Sequence, residues 1–174
     1  MKTLGIDISL TNCGLLVYSH GKDHNEFGEV LHTEVVGYKM SSKATVRDRV
    51  RRIRAIVDRI ILAIDEHSPD YVVIEGPSYN SISRQIDIGG LHYCVYYELD
   101  RQRGVEPIVM PPKSARKKAF GFGAPPKDFP KGSARTKKWV KSSLESQVGV
   151  SNVPRNEHLR DALVLCLAKQ GWSE

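Results

Sequence analysis

Residues 4–10 read Leu4-Gly5-Ile6-Asp7-Ile8-Ser9-Leu10, with an apolar side chain at every second position. That is the period of a β-strand resting one face on a core. Thr11-Asn12-Cys13-Gly14 follows with turn chemistry, and Gly14 to Ser19 (GLLVYS) returns as a second strand. Beyond a polar turn over His20 to Asn25, Val30 to Tyr38 is a third strand, rich in β-branched residues. The three predict an antiparallel meander. Asp7 is the charged residue inside its first strand, and it shares a face with Thr3, Gly5 and Ser9, all small. Two readings fit it. It is a polar residue on a solvated strand face, or it is a ligand-bearing carboxylate in a cleft where small neighbours leave room for a substrate.

The period changes from about Ala44 to Glu66. Val46, Val50, Ile53, Val57, Ile60, Ile61 and Ile64 recur at threes and fours, which predicts an amphipathic helix. Its other face carries Arg47, Arg49, Arg51, Arg52, Arg54 and Arg59. Tyr71-Val72-Val73-Ile74 is a continuous apolar run, as in a strand buried on both faces, and it ends in Glu75-Gly76-Pro77. A second helix is expected from near Gln85 to Arg103, stopped by Gly104. A short strand follows over Val105 to Met110, broken by Pro111 and Pro112. From Lys113 to Lys141, Gly, Pro, Lys and Arg dominate, with a loop expected near Gly121 to Gly132. Helical pattern resumes over Thr136 to Gln147. A last helix fits Asn156 to Lys169, with Leu159, Ala162, Leu163, Cys166 and Leu167 on one face. Three strands, then helix, strand, helix, strand, helix, predict a mixed α/β domain with helices packed on a central sheet.

The 174 residues allow one ordinary domain with a real core. Lys plus Arg number 26 and Asp plus Glu 20, a net charge of +6 that favours an anionic partner. The excess is local. Lys113 to Lys141 holds ten basic residues against Asp128 alone, a segment charge of +9, while the remainder has 16 basic and 19 acidic residues, −3. No stretch approaches the ~20 apolar residues of a membrane span. The N-terminus lacks the apolar run of a signal peptide. Cys13, Cys94 and Cys166 are scattered, with no CxxC, which points to reduced thiols and a cytoplasmic protein.

Two further acidic positions stand beside Asp7. Glu75 closes a buried strand, and in open α/β sheets ligands gather at such carboxyl ends. Taken alone, it reads better as an acidic residue opening a loop. Glu157, His158 and Asp161 lie within one turn of the last helix, so His158 and Asp161 can reach one point. The helix dipole accounts for Glu157. It accounts less well for Asp161, which lies beside the core-facing Ala162 and Leu163. If these positions converge, oxygen ligands plus an imidazole suit magnesium or manganese rather than structural zinc. A paired site of that kind can drive in-line displacement at a phosphate.

These segments resemble the RuvC family of Holliday-junction resolvases, which are ribonuclease H-like endonucleases. GIDISLTNCG (Gly5 to Gly14) is similar to the family's first strand and turn, VVIEGPSYN (Val72 to Asn80) to the strand with its Glu, and HLRDALVLCLA (His158 to Ala168) to its C-terminal helix. PPKSARKKAFGFG (Pro111 to Gly123) resembles a proline-led basic stretch ending in Gly-x-Gly, and GSARTKKWV (Gly132 to Val140) the stretch after it. A basic, loop-rich insertion at about 121–134 interrupts the two, and a region of this kind is also found in phage-encoded relatives. The resemblance implies one ribonuclease H-like nuclease domain over 1–174, with a five-stranded mixed sheet, antiparallel first and parallel after, flanked by helices.

It implies that Asp7, Glu75, His158 and Asp161 hold two Mg²⁺ per site, with Mn²⁺ able to substitute, and that Arg116 and Lys137 assist catalysis. It also implies a homodimer that nicks opposed strands of a four-way DNA junction. DNA would be contacted by Tyr79, Arg84, Lys113, Arg116, Lys117, Lys118, Arg135, Lys137 and Lys138. Tyr79 stands one place beyond the family's stacking aromatic, where this chain has Ser78, and packing explains it equally. The helix carrying Ile86, Gly89, Gly90, Tyr93 and Tyr97 is the dimer candidate, with burial in the monomer core as the other account. Competing readings are another ribonuclease H-like nuclease acting on flaps, branched DNA or RNA–DNA hybrids, and a non-catalytic module that binds branched DNA.

Overall fold

The structure, a computed structural model, describes residues 1–21, 28–37, 44–77, 82–132 and 134–170, with residues 82–87 as backbone only. Strands β1 (Lys2–Asp7), β2 (Asn12–Ser19) and β3 (Glu29–Gly37) form the meander, and β4 (Tyr71–Glu75) and β5 (Ile108–Met110) complete a sheet of order β3-β2-β1-β4-β5. β1 pairs antiparallel with β2, and β2 with β3, the latter with a register shift at Val17/Tyr18. β4 pairs parallel with β1 and β5 parallel with β4. The expected five-stranded mixed sheet is therefore present, antiparallel at one side and parallel at the other.

The strand alternation decides which helices cover which face. Leu4, Ile6, Ile8, Leu15, Val17, Val72 and Ile74 face α1 (Val46–His67) and α2 (Ile82–Arg103) in one core. Leu16, Tyr18 and Val73 face the other way, toward α3 (Pro112–Phe120), α4 (Arg135–Val148) and α5 (Glu157–Gln170). Fully buried side chains such as Leu4, Ile60 and Leu163 each contribute about 1.5–3 kcal/mol of burial. α1 is fixed at its start by a capping box, in which the Thr45 hydroxyl accepts from the Asp48 amide at 3.2 Å and the Asp48 carboxylate accepts from the Thr45 amide at 2.9 Å.

Four sequence expectations are corrected here. Pro111-Pro112 does end β5, but Pro112 also opens α3, which the sequence reading does not assign. A proline in the first turn gives up no helical hydrogen bond and has its φ already set. β5 spans only Ile108–Met110, because Pro107 has no amide to offer the ladder. The apolar stripe of α1 outruns its core, leaving Val46 76% and Val50 58% exposed, while Arg52, assigned to the polar face, is buried. On α2, Leu91, Val95 and Leu99 supply the core contacts, and Tyr93 and Tyr97 stand 75% and 62% exposed, so burial in the monomer core does not account for them. Cys13 and Cys166 are buried free thiols and Cys94 is an exposed one. No helix among the described residues is long and apolar enough to cross a membrane.

Candidate active site

β1 and β4 run parallel with Ile6 opposite Ile74, so Asp7 and Glu75 lie one step further along adjacent strands, both at the carboxyl end. By alternation both side chains project to the α5 face. Asp7 is 8% exposed, which removes the solvated-face reading. The reading in which small neighbours leave room for a substrate is also corrected. A Cβ on Gly5 would meet the Ala162 carbonyl oxygen at 2.1 Å, and one on Gly14 the His158 carbonyl oxygen at 2.6 Å. The two glycines make room for helix α5, which lies against the bare strand backbones.

That close approach delivers the third and fourth groups. The Asn156 side-chain oxygen accepts from the His158 amide at 2.9 Å and shapes the first turn of α5. The His158 ring reaches across to β1, where Nδ1 and Asp7 Oδ2 are hydrogen-bonded at 2.7 Å. Asp161 lies one turn further along and is coupled by charge to both Asp7 and Glu75. A residue that sequence reasoning missed, His92, is buried on α2 and hydrogen-bonds the Glu75 carbonyl through Nε2 (2.9 Å) and the Ile88 carbonyl through Nδ1 (2.8 Å). It ties α2 to the end of β4. No sequence pattern marks it, since a lone histidine on a helix has many uses.

The electrostatics are those of crowded carboxylates. Burial, then the charges of Asp161 and Glu157, raise the Asp7 pKa to about 7. Burial, then Asp7 and Asp161, raise Glu75 to about 8, against the pull of Arg116 and His158. Burial also raises Asp161, opposed by Arg116, His158 and Arg160. Among the described residues no three His, Cys, Asp or Glu side chains form a closed metal-binding group, and Asp7 and His158 satisfy one another instead. The donor chemistry nevertheless fits a hard divalent cation. Buried carboxylates whose proton affinity is raised by burial and by neighbouring acidic charges would have that repulsion relieved by a cation in place of protons.

The basic residues divide by what they touch. Arg116 on α3 is half-buried, donates from Nε to the Gly123 carbonyl at 3.2 Å, and favours the ionised forms of Glu75 and Asp161. Lys137 on α4 pairs with Glu157, the first residue of α5, at 2.5 Å. Arg135 turns onto the chain, donating to the carbonyls of Pro126 and Lys127. Lys113, Lys117, Lys118 and Lys138 are exposed on α3 and α4, both of which pack against α5. The local basic excess thus falls on the sheet face that carries the carboxylates. Tyr79 and the side chain of Arg84 lie outside the described residues.

One consequence concerns stability. A carboxyl whose pKa is raised by folding stabilises the fold below its ordinary pKa, and loses that contribution as pH rises through the folded value. For Asp7 and Glu75 the loss runs from about pH 4 to about 7 and 8. In the metal-free protein, Asp7→Asn should therefore raise the Tm at pH 8 by about 3–6 °C and flatten its fall between pH 5 and 8. Millimolar Mg²⁺ should raise the wild-type Tm more at pH 8 than at pH 5. Calorimetry of both proteins checks this, and an Asp7→Asn protein no more stable than wild type at pH 8 would contradict it.

A mixed sheet of this order, with α5 laid along β1 from Asp7 back to Thr3, is a ribonuclease H-like fold. The chain is similar to RuvC of Thermus thermophilus, at 23% identity and TM-score 0.77, covering 98% of this chain and 94% of that one. It is similar also to T. thermophilus RuvC in complex with a Holliday junction substrate (21% identity, TM-score 0.70, 98% and 93% covered). A third likeness is to the yeast mitochondrial Holliday junction resolvase (13% identity, TM-score 0.56, 98% and 78% covered). No family model and no curated protein matches the sequence. The solved structures establish the fold, which is that of RuvC over nearly the whole chain.

Proposed function

We propose that the protein is a metal-dependent endonuclease that resolves four-way DNA junctions. The observation that carries this reading is the meeting of Asp7, Glu75 and Asp161 under α5, on the one sheet face where the chain concentrates its positive charge. An acidic centre alone would repel a phosphodiester. A basic rim of α3 and α4 around it holds the rest of the backbone, since lysine and arginine contacts to phosphates dominate affinity for DNA. Similarity to RuvC, one of whose structures holds a Holliday junction substrate, supports the choice of substrate.

Asp7, Glu75, Asp161 and His158 would hold two Mg²⁺ ions, which when bound supply an activated water and charge stabilisation at the scissile phosphate. Asp7 sits central to the set, oriented by its bond to His158. His92 fixes the backbone end of Glu75. Arg116 lies where it can neutralise charge developing on the phosphate oxygens, and its tie to Gly123 limits its rotamers. Lys137 would reach the phosphate by exchanging its partner Glu157 for the DNA.

The described residues of one chain bring together one such centre, and cutting both opposed strands of a junction calls for two. Tyr93 and Tyr97 on α2, and Val46 and Val50 on α1, are exposed apolar side chains that a second copy could cover. The active form is thus taken as a homodimer. The experiment is a cleavage panel with Mg²⁺ or EDTA, comparing a synthetic four-way junction, a flap, an RNA–DNA hybrid and a linear duplex. The junction should be converted to nicked duplexes at least roughly tenfold faster than any other substrate, and only with metal. Preferential cutting of the flap or hybrid would replace the junction reading by another ribonuclease H-like specificity, and binding without cutting would replace it by a binding module.

A further inference from the structure

The end of α3 and the segment after it carry three phenylalanines, and two of them have a packing role. Phe120 meets Trp139 edge-on at 5.5 Å, and Phe129 packs on the same core. Phe122 does not follow them, and it is 62% exposed. A single exposed apolar residue is ordinary, so the position matters more than the exposure.

Phe122 is held between two glycines that the backbone requires. Gly121 closes α3 at φ +81, a conformation that favours glycine, and its amide donates to the Lys117 carbonyl at 2.9 Å. Gly123 lies so close to α3 that an added Cβ would meet Lys113 Cγ at 2.8 Å and the Lys113 carbonyl oxygen at 2.9 Å. The Gly123 carbonyl also accepts the Nε–H of Arg116, whose charge favours the ionised forms of Glu75 and Asp161. The turn is therefore anchored at both ends, and one anchor is a residue of the candidate active site. The surroundings of the ring are basic, with Lys113, Lys117 and Lys118 exposed on the same short helix.

We propose that Phe122 is a stacking platform for an unpaired base beside the scissile phosphate. This rests on the reading of the site as a nuclease of branched DNA. An exposed ring within a basic surround matches the chemistry of single-stranded nucleic acid, whose bases offer open π-faces. An intact duplex keeps those faces stacked, while a branch point exposes them. Phe122 would therefore discriminate between branched and linear DNA, where the lysines, which meet phosphates, would not. The ring belongs to a different segment from Tyr79.

The test uses the full chain carrying Asp7→Asn, so that bound DNA stays intact, and a four-way junction with 2-aminopurine at the branch point. Binding should change the 2-aminopurine fluorescence. Adding Phe122→Ala should abolish that change and weaken junction binding by about tenfold, leave linear-duplex binding within about twofold, and leave the Tm unmoved. Phe122→Trp should restore both signals. If Phe122→Ala perturbs 2-aminopurine and binds the junction like its parent, the stacking role is overturned while the nuclease reading stands. If the protein with Asp7 intact neither binds nor cuts the junction, the nuclease reading fails and the stacking role falls with it.

Discussion

Asp7→Asn should bind a four-way junction at least as tightly as the wild-type protein and cut it roughly a thousandfold more slowly, a loss of about 4 kcal/mol in transition-state stabilisation. The size follows from its place. Asp7 is the member of the set that touches His158 directly and is coupled to both Asp161 and Glu75. Asparagine keeps the shape and one acceptor for His158, and removes the charge that a divalent ion would answer. Binding survives because the groups that meet DNA phosphates are on α3 and α4. It should tighten in EDTA, where the wild-type carboxylates repel the backbone. Electrophoretic mobility shifts and a time course of cleavage measure the two effects. Equal loss of binding and cutting would show that Asp7 serves the fold rather than the chemistry.

Gly5→Ala should be the most damaging conservative change in the chain for stability. Its Cβ would lie 2.1 Å from the Ala162 carbonyl oxygen and 2.9 Å from Cys166 Sγ, so helix backbone must move, not a flexible side-chain tip. Overpacking of this kind costs about 3 kcal/mol or more, a fall of about 6–12 °C in Tm. The helix displaced carries His158 and Asp161, so cutting should fail together with the fold. Thermal unfolding and the cleavage time course give both readouts. The contrast with Asp7→Asn is diagnostic, because that substitution should abolish cutting while raising the metal-free Tm. An unchanged Tm for Gly5→Ala would contradict the packing of α5 on the sheet.

These two residues also show what the sequence makes legible. Asp7 stands out locally, as a charge in an alternating strand, and Glu75 and Asp161 stand out as charges at the ends of apolar runs. Alternation and the changes of period are enough to draw the antiparallel meander and helices packed on a sheet, while the five-stranded mixed order rests on the resemblance to the RuvC family. The sequence leaves open whether Gly5 makes room for a substrate, because its true neighbour, Ala162, is remote in the chain and invisible to any periodicity. α3 escapes the sequence because its nine residues, four of them Lys or Arg, show no apolar period, and its proline start looks like a breaker. The apolar stripe on α1 announces an amphipathic helix, but not that Val46 and Val50 in its first turns stand outside the core. Periodicity reports which face is apolar and not what covers it. His92 and the tie between Arg116 and Gly123 depend on contacts between elements, and no spacing announces them.

The most direct test of the account is strand mapping on a four-way junction labelled in turn on each strand, with Mg²⁺ and with EDTA. The account predicts two nicks on opposed strands near the branch point, in duplex products that ligase reseals, with metal only and none from Asp7→Asn. Metal-independent nicks, unpaired nicks scattered along the arms, or equal cutting by Asp7→Asn would contradict it.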